Sequence, residues 1–328
     1  MCRCENVGAN YHSPQSQHKL PDVKIDMQKK IEGFFEQQLN EWDLAKKNYA
    51  GLQKVHKRYV QLDDLVRVGI QFNPERIYSS AAKVDDKSIR ERKCFLCREN
   101  LPAQQRWLAF GDEYLVLVNP FPIFPRHLTI PVIQHTDQRI AGRMGDMLDL
   151  ARELNEFVVF YNGPKCGASA PDHFHFQAGN KGFMPLEKDF EKFPKTVIDT
   201  INGVEVLQLD NYYRTCLVLQ GVDRQMLVAS FEGLMDRLPV SPNDDEPMLN
   251  ILTSHDAGKW RIFIFPRKLH RPSQYFKEGE GRILLSPASV DLGGVLITPR
   301  EEDYHKIDAD IIKDIFKQVC LGKLKEDE

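Results

Sequence analysis

The sequence lacks the features that mark membrane, secreted and nucleic-acid-binding proteins. No apolar run approaches the roughly 20 residues that a helix needs to cross a bilayer, and the segment after Met1 lacks the apolar stretch of a secretory signal. The 44 basic and 47 acidic side chains are interspersed and give a net charge of −3, which argues against a protein that binds nucleic acid polymers. We therefore expect a cytoplasmic protein with no membrane and no nucleic acid polymer among its partners.

Cysteine is too sparse and too irregularly spaced for a disulfide framework. The seven cysteines are spread over 328 residues, which predicts mostly free thiols. Cys94 and Cys97 are set apart, because the Cys-x-x-Cys spacing suits two thiolates on one tetrahedral zinc ion. The alternative is a simple pair of buried thiols.

The first 90 residues predict a tail and a short extension. Residues 1–24 are polar and offer nothing to a core, which is typical of a flexible tail. Apolar side chains at 31–42 recur every three or four residues, as in an amphipathic helix. Alternation at 66–72 predicts a half-buried strand. We interpret residues 25–90 as an N-terminal helix and strand extension.

The region after Cys94 is rich in β-strand signals. The predicted elements are a hairpin with a proline-rich turn, an amphipathic helix and a buried strand, at residues 113–118 with 127–133, 140–154 and 157–161. A glycine-bearing loop at 162–171 then leads into the sequence His-Phe-His-Phe-Gln at 173–177. The order predicts an antiparallel sheet with a packing helix.

The remainder of the chain repeats this order of elements. The second set is a hairpin, a short helix, a strand and a final strand in the place of the histidine-bearing one, at residues 215–219 with 226–230, 231–238, 248–253 and 259–267. The repeat lies in the order of elements rather than in residue identity. It predicts an α+β fold of two related halves.

The histidine-bearing strand carries the strongest chemical signal. Alternation along an extended strand points His173, His175 and Gln177 to one side, while Phe174 and Phe176 face the core. Two histidines and a glutamine can face solvent by coincidence. We favour a functional site, because three polar side chains then form one row beside an apolar anchor.

Two neighbouring features favour phosphate binding at this row. The loop before it contains Gly163, Gly167 and Ser169, whose backbone can approach phosphate oxygens closely. Arg261 and Arg267 lie in the strand predicted to face the first half, where they are candidate substrate contacts. Solvated surface charges are the alternative for both arginines.

Two segments carry a family resemblance. Residues 162–171 with the row at 173–177, and the hairpin segment from Asn119 to His135, resemble the active-site segments of the histidine-triad superfamily. The resemblance is to its transferase and phosphorylase branch, which includes galactose-1-phosphate uridylyltransferase, diadenosine tetraphosphate phosphorylase and GDP-hexose phosphorylases. The clear match covers about residues 94–180. It implies an α+β fold of two histidine-triad-like halves, a catalytic half at 91–200 and a degenerate half at 201–328.

The resemblance implies that His175, the second histidine of the row, is the nucleophile. A neutral imidazole can attack an α-phosphorus, and the resulting phosphoramidate can be discharged by a second acceptor. We expect the other ring nitrogen to donate to a carbonyl of the loop at 162–167. Gln177 occupies the position where hydrolytic members carry histidine, so transfer is favoured over hydrolysis. Ser169 is implied as a phosphate ligand, although one residue more separates it from the row than in the family pattern.

The same resemblance implies a nucleotide subsite. Asn119 matches the position that holds ribose hydroxyls, and Asn162 and Gly167 of the loop are expected to contact the substrate. An apolar slot for the base is predicted from the side chains of the turn, Phe121, Ile123 and Phe124. These aromatic and aliphatic groups can equally belong to the core.

By resemblance to zinc-containing members, His135 and His173 complete a zinc site with Cys94 and Cys97. Such an ion would be structural and would hold the start of the histidine-bearing strand. His127 is a rival third ligand.

The sequence thus predicts a nucleotidyltransferase or phosphorylase that cleaves a nucleoside diphosphate sugar or a dinucleoside polyphosphate through a covalent nucleotidyl-His175. Phosphate or a sugar phosphate is the expected acceptor, and the chain is expected to be a monomer or homodimer. The alternatives are a zinc-stapled nucleotide-binding regulatory protein without catalysis, or a nucleotide hydrolase.

Overall fold

The computed structural model of the chain describes residues 27–77 and 85–322. The tail predicted at residues 1–24 lies outside the described residues. Within the described ranges, no helix is both long enough and apolar enough to span a membrane.

Two helices open the described chain, α1 (Met27–Glu41) and α2 (Asp43–Gly51). One face of α1 buries Ile31, Phe34 and Phe35, which is the spacing that the sequence predicts for an amphipathic helix. The hydroxyl of Tyr49 in α2 donates to the carbonyl of His127 at 3.1 Å. The extension is therefore fastened to the predicted hairpin of the catalytic half.

A small sheet contains strands from both ends of the chain, β1 (His56–Gln61), β2 (Arg67–Phe72) and β13 (Val295–Thr298). β1 pairs antiparallel with β2, and β13 pairs parallel with β2, with Leu296 opposite Ile70. The extension is thus also held by the C-terminal part of the chain.

The large sheet contains ten strands with antiparallel pairing throughout. In spatial order they are β3 (Trp107–Phe110), β4 (Tyr114–Val118), β5 (His127–Pro131), β7 (His175–Asn180), β6 (Phe157–Asn162), β11 (Leu249–Asp256), β12 (Lys259–Pro266), β10 (Leu217–Gly221), β9 (Val204–Leu209) and β8 (Lys195–Ile201). The two halves meet where β6 pairs with β11 and Asn162 lies opposite Asn250. The predicted α+β class is confirmed, and the sheets of the two halves are joined into one.

The order of strands repeats from each edge of the large sheet towards the middle. The first half runs β3-β4-β5-β7-β6, and the second half runs β8-β9-β10-β12-β11. Helix α4 (Met144–Glu153) connects β5 to β6, and α6 (Arg224–Met235) connects β10 to β11. The strand predicted at 259–267 therefore does occupy, as β12, the place that β7 has in the first half.

One predicted strand of the second half is wrong. Residues 226–230 lie in helix α6, and β10 pairs instead with β9. The apolar residues at 226–230 resemble a short strand, but they belong to the first turns of a helix that begins just before them. Asp223 caps α6, because its carboxylate accepts from the backbone N–H of Met226 at 3.0 Å.

The faces of the large sheet are covered differently. Along β11, Ile251 belongs to one apolar cluster and Leu252 to the other, as strand alternation requires. Helices α4 and α6 contribute to the first cluster, and β13 and the C-terminal helices contribute to the second. The remaining helices are α3 (Asp86–Glu91), α5 (Pro185–Asp189), α7 (Ser289–Leu292), α8 (Glu301–Lys306) and α9 (Ala309–Val319).

Candidate active site

A cavity of about 400 Å³ lies on the second of these faces, over the first half of the sheet. Side chains of both halves line it. Of the predicted site residues, those on its wall are Asn119, Asn162, Gly167, Ser169, His175 and Gln177. Strand pairing explains part of this grouping, because β7 places Gln177 opposite Thr129 of β5 and Phe160 of β6.

The imidazole of His175 is oriented by the backbone immediately before it. Its Nδ1 lies 2.8 Å from the carbonyl oxygen of His173, and since a carbonyl can only accept, Nδ1 carries the proton. Nε2 then presents a lone pair. Burial lowers the pKa of His175 to about 4, so the ring is neutral near pH 7. The expectation that a carbonyl of 162–167 holds this ring is wrong, because His173 itself supplies the oxygen.

The backbone of His175 is held by the side chain of Gln138. The amide oxygen of Gln138 accepts from the N–H of His175 at 2.8 Å, and its NH₂ donates to the His175 carbonyl at 3.0 Å. The same NH₂ lies 3.0 Å from the carbonyl of Asn162. One fully buried amide therefore pairs with His175 as a neighbouring strand would. Sequence reasoning missed Gln138, which lies in an irregular segment with no recognisable spacing.

Gln138 is in turn supported by a residue of the second half. The hydroxyl of Tyr161 lies 3.2 Å from the carbonyl of Gln138 and donates to the carboxylate of Glu246 at 2.5 Å. Glu246 also accepts from the backbone N–H of Ile140 at 2.8 Å. These bonds fasten the Gln138 segment on both sides.

Gln177 is oriented by His127. The Nδ1 of His127 accepts from the N–H of Ile123 at 3.3 Å, so Nε2 carries the proton and donates to the Gln177 amide oxygen at 3.0 Å. Burial, and then the charge of Arg76, lowers the pKa of His127 to about 3, which keeps the ring neutral. The NH₂ of Gln177 is left to face the cavity. His127, the rival zinc ligand, thus has a different place and partner.

Asn162 is oriented by residues of the second half. Its amide oxygen accepts from Asn250 Nδ2 at 2.8 Å and from the backbone N–H of Ser289 at 2.9 Å. Arg267 Nη1 donates to the Asn250 amide oxygen at 2.5 Å. The NH₂ of Asn162 is therefore turned away from these partners, on the side of the cavity.

Neither arginine predicted to contact substrate lines the cavity. Arg267 is 4% exposed, and its guanidinium donates to the Asn250 side chain and to backbone carbonyls, including those of Val319 and Pro287. Arg261 pairs with Glu191 at 2.6 Å and packs over the Phe190 ring. Arg261 lies in β12 and Arg267 directly follows that strand. Two strands separate β12 from β7, so both side chains reach local partners first.

The arginines on the cavity wall are Arg76 and Arg271. Arg76 Nη1 donates to the carbonyl of Phe121 at 2.8 Å, and burial lowers its pKa to about 10 despite the nearby carboxylate of Asp291. Arg271 Nε donates to the hydroxyl of Ser286 at 3.2 Å. In the sequence, Arg76 belongs to a charged stretch before Cys94 that is a candidate source of charge for phosphate groups, with a solvated surface as the alternative. Arg271 lies in a segment without a recognisable pattern.

The apolar wall lies partly where the sequence predicts it. Phe121 and Ile123 of the turn line the cavity, whereas Phe124 is fully buried and packs 4.4 Å from Phe183, centroid to centroid. Further apolar lining comes from Trp42, Leu44, Phe95, Leu96, Pro102, Leu117 and Phe160. Asn119 borders this wall, where its amide donates to Thr129 Oγ1 at 2.9 Å and accepts from the N–H of Phe121.

Four side chains converge beside the start of β7 in an arrangement that can hold a metal. The ligand atoms of Cys94, Cys97, His135 and His173 all lie within 4.8 Å of one another. His173 Nε2 donates to the carbonyl of Val132 at 2.8 Å, which leaves Nδ1, 3.2 Å from Cys94 Sγ, as the ligand atom. Two thiolates and two imidazoles suit tetrahedral zinc.

Asp172 stands outside the ligand set. Its carboxylate pairs with Arg92 at 2.5 Å and lies 3.9 Å from Nε2 of His135. The ion pair ties the residue before His173 to the segment that leads into Cys94.

Two family models match most of the chain. A model named as a domain of unknown function, DUF4922, matches residues 34–180, and a GDPGP1-like C-terminal domain matches residues 189–325. Diadenosine 5′,5‴-P1,P4-tetraphosphate phosphorylase 2 of Saccharomyces cerevisiae is 24% identical over 328 aligned residues, which cover 86% of this chain and 95% of that protein.

Solved structures of a yeast enzyme share the fold. The crystal structure of yeast Ap4A phosphorylase Apa2 is similar with a TM-score of 0.59 at 18% identity, and covers 86% of this chain and 97% of Apa2. Its complex with AMP gives a TM-score of 0.57 at 20% identity, with 86% and 96% covered. The shared architecture extends over both halves.

Proposed function

We propose that this chain, which belongs to the transferase and phosphorylase branch of the histidine-triad-like superfamily, transfers a nucleoside monophosphate through a covalent intermediate on His175. The substrate class is a dinucleoside polyphosphate or a nucleoside diphosphate sugar, and the enzyme class is a nucleotidyltransferase or phosphorylase. The similarity to diadenosine tetraphosphate phosphorylase supports both. The observation that carries the proposal is a neutral His175 whose protonated Nδ1 is held, so that Nε2 is available on the cavity wall.

The first step is an in-line displacement at the α-phosphorus. Nε2 of His175 attacks, a P–N bond forms, and the bond from phosphorus to the bridging oxygen breaks, so the remaining phosphate leaves with its electron pair. The imidazole gains positive charge in this step, and the Nδ1–H bond to the His173 carbonyl stabilises that charge. The proton stays on Nδ1 throughout this step.

The second step is the reverse displacement by an acceptor. An oxygen of phosphate or of a sugar phosphate attacks the same phosphorus, the P–N bond breaks, and the electron pair returns to Nε2. The products are a nucleoside diphosphate, or a nucleoside diphosphate sugar, and a neutral His175. Because acceptor and leaving group are both anions, a neutral nucleophile between them divides one repulsive encounter into two.

Amide donors surround the reacting phosphate in this proposal. The NH₂ groups of Gln177 and Asn162 are fixed by bonds to their own oxygens, so each can donate to a non-bridging oxygen without reorganising. An amide NH₂ group donates hydrogen bonds but is too weak an acid to transfer a proton to a leaving group, and too weak a base to take one from attacking water. This supports transfer rather than hydrolysis.

We also propose that Cys94, Cys97, His135 and His173 hold one structural zinc ion. The ion would supply no step of the reaction. Its ligand His173 provides the carbonyl that holds the His175 ring, so the ion would fix the nucleophile through one residue. The donor set and its close grouping support this.

The proposed partners are a nucleotide substrate and a phosphate or sugar phosphate acceptor. Residues from both halves of the chain line the cavity, and a monomeric state stays a prediction. Homodimer formation and a cytoplasmic location stay predictions.

A zinc-stapled regulatory protein without catalysis is the second candidate. In such a protein the residues His173, His175 and Gln177 would be present but unable to react, for example because the cavity beside His175 is blocked. The 400 Å³ space lined by His175, Gln177 and an arginine favours the enzyme.

Intact-protein mass spectrometry tests the proposal. The chain is incubated briefly, without acceptor, with dinucleoside polyphosphates and with UDP-, GDP- and ADP-sugars, alongside His175→Ala and the exposed His305→Ala as a control. We expect one added nucleoside monophosphate in the wild type and in His305→Ala, and none in His175→Ala. Nucleotide binding without any adduct would instead support the regulatory protein.

A further inference from the structure

Arg271 places a positive charge on the cavity wall from a loop of the second half. Its Nε donates to Ser286 Oγ at 3.2 Å, and its guanidinium lies 4.2 Å from the Tyr275 ring centroid. Within residues 27–77 and 85–322, no carboxylate pairs with it inside 4.0 Å. The two terminal nitrogens are therefore left for an anion from solution.

The segment that contains Ser286, the hydrogen-bond partner of Arg271, lies beside the loop at 162–171 of the first half. A Cβ added to Gly167 would meet Cβ of Ala288 at 2.7 Å and the carbonyl of Pro287 at 3.6 Å. The segment from Ser286 to Ala288 is thus in direct contact with the loop that carries Ser169. Glycine is required at Gly167 for this approach, and also for its φ of +96°.

The other cationic candidates on this wall are already committed. Arg76 is half-buried, donates to the Phe121 carbonyl and faces the charge of Asp291. His270 also lines the cavity, but burial and the neighbouring arginines lower its pKa to about 4, which makes it neutral near pH 7. Arg271 is therefore the side chain suited to a second phosphate.

We propose that Arg271, held by Ser286, binds the phosphate that leaves in the first step and the phosphate that attacks in the second. In-line chemistry requires both on the side of the α-phosphorus opposite Nε2 of His175, so one subsite serves both. A guanidinium fits two oxygens of a phosphate at once. This inference rests on the proposed function and assigns its acceptor subsite, for inorganic phosphate or the terminal phosphate of a sugar phosphate.

The test separates the two half-reactions. Adduct formation from the donor, and discharge of the isolated adduct by increasing inorganic phosphate, are timed for wild type, Arg271→Gln, Arg271→Lys and Ser286→Ala. The exposed Arg282→Gln, from the same segment, is the matched control. Because a charge-assisted bond contributes about 1.5–3 kcal/mol, we expect Arg271→Gln to slow both half-reactions and raise the phosphate concentration for half-maximal discharge by about 10–100-fold.

The variants have graded expected outcomes. Arg271→Lys recovers part of the loss, Ser286→Ala loses severalfold, and Arg282→Gln matches the wild type. Unchanged phosphate saturation in a folded Arg271→Gln overturns the inference, even if adduct formation slows. If the wild type forms no adduct, the proposed function fails first. Calorimetry of inorganic phosphate binding to wild type and Arg271→Gln then still decides whether Arg271 is a phosphate site.

Discussion

The two halves present the same face of one sheet in opposite ways. A line of paired residues crosses that face from Gln177 through Phe160, Leu252 and Phe263 to Val218. In the first half the line borders the cavity. In the second half Phe263 and Val218 are buried in an apolar cluster beneath the C-terminal helices.

The difference shows how one strand order supports either chemistry or packing. β7 and β12 hold equivalent places, yet β7 carries polar groups towards the cavity and β12 carries Phe263 and Phe265 towards the core. The second half contributes to the site at two places. Asn250, in the strand β11 that pairs with β6, orients Asn162, and Arg271 reaches the cavity from a loop. On this face, apolar packing fixes the second half, whereas hydrogen-bonded polar groups and a Cys/His cluster fix the first.

The largest expected effect comes from removing that cluster. Cys94→Ser leaves three ligands where four converge, and structural zinc sites contribute about 10 kcal/mol or more of folding free energy. We expect one equivalent of zinc per wild-type chain by elemental mass spectrometry. Cys94→Ser should lose the metal, the native thermal transition of the catalytic half and adduct formation.

The buried Cys216, which lies in the second half away from the cluster, supplies a matched Cys→Ser control. Its substitution should leave the zinc content unchanged. A metal-free wild type with full adduct formation would contradict the structural zinc ion.

The next largest effects are expected from two substitutions on the shared face of the sheet, one in each half. Phe263→Ala removes a ring from the second-half core and should cost about 3–5 kcal/mol of unfolding free energy, with adduct formation per folded molecule unchanged. Gln177→Leu removes a donor at the cavity and should slow adduct formation by about 10²–10³-fold. Its stability cost should be smaller, about 1–3 kcal/mol, because the buried Nε2–H of His127 loses its acceptor. Denaturant unfolding and the timed mass assay measure the two effects.

The contrast between the pair is the critical result. If Gln177→Leu unfolds the protein as Phe263→Ala does, the first half relies on packing at this face as well. If Phe263→Ala slows the chemistry of folded protein, the second half acts on the reaction through its core, and the division into chemical and packing halves is wrong.

The superfamily, the α+β class and much of the first half were accessible from sequence. Alternation and apolar runs locate β4, β5 and β6, because each strand is fully buried. The superfamily follows from short segments around His175, and it is confirmed. The hidden parts depend on context, such as the Asp223 cap that begins α6 within an apolar stretch.

Of the candidate site, the sequence predicts the groups proposed to react or to bind metal, but not the residues that hold them in place. The alternation of His173, His175 and Gln177 and the spacing of Cys94 and Cys97 are local signals. The role of His175 as nucleophile and of His135 and His173 as zinc ligands follows only from the family resemblance. Their supports act over long separations in sequence: Gln138 lies in a segment with no periodicity, and Asn250 lies in a predicted strand whose partner the sequence does not show. Arg261 and Arg267 were misplaced because sequence order gives the strand but not the distance from β12 to β7.

The smallest effect is expected at Gln138, which holds the backbone of His175 from both sides. Gln138→Leu nearly keeps the volume but removes both bonds. Since a hydrogen bond of this kind contributes about 0.5–1.5 kcal/mol net, we expect Gln138→Leu to slow adduct formation by about 10-fold, with donor KM little changed. Gln104→Leu, on the exposed surface, is the control. A rise in KM at constant rate would assign Gln138 to substrate binding, because a residue that only positions the nucleophile should change the rate of the attack and leave ground-state binding intact.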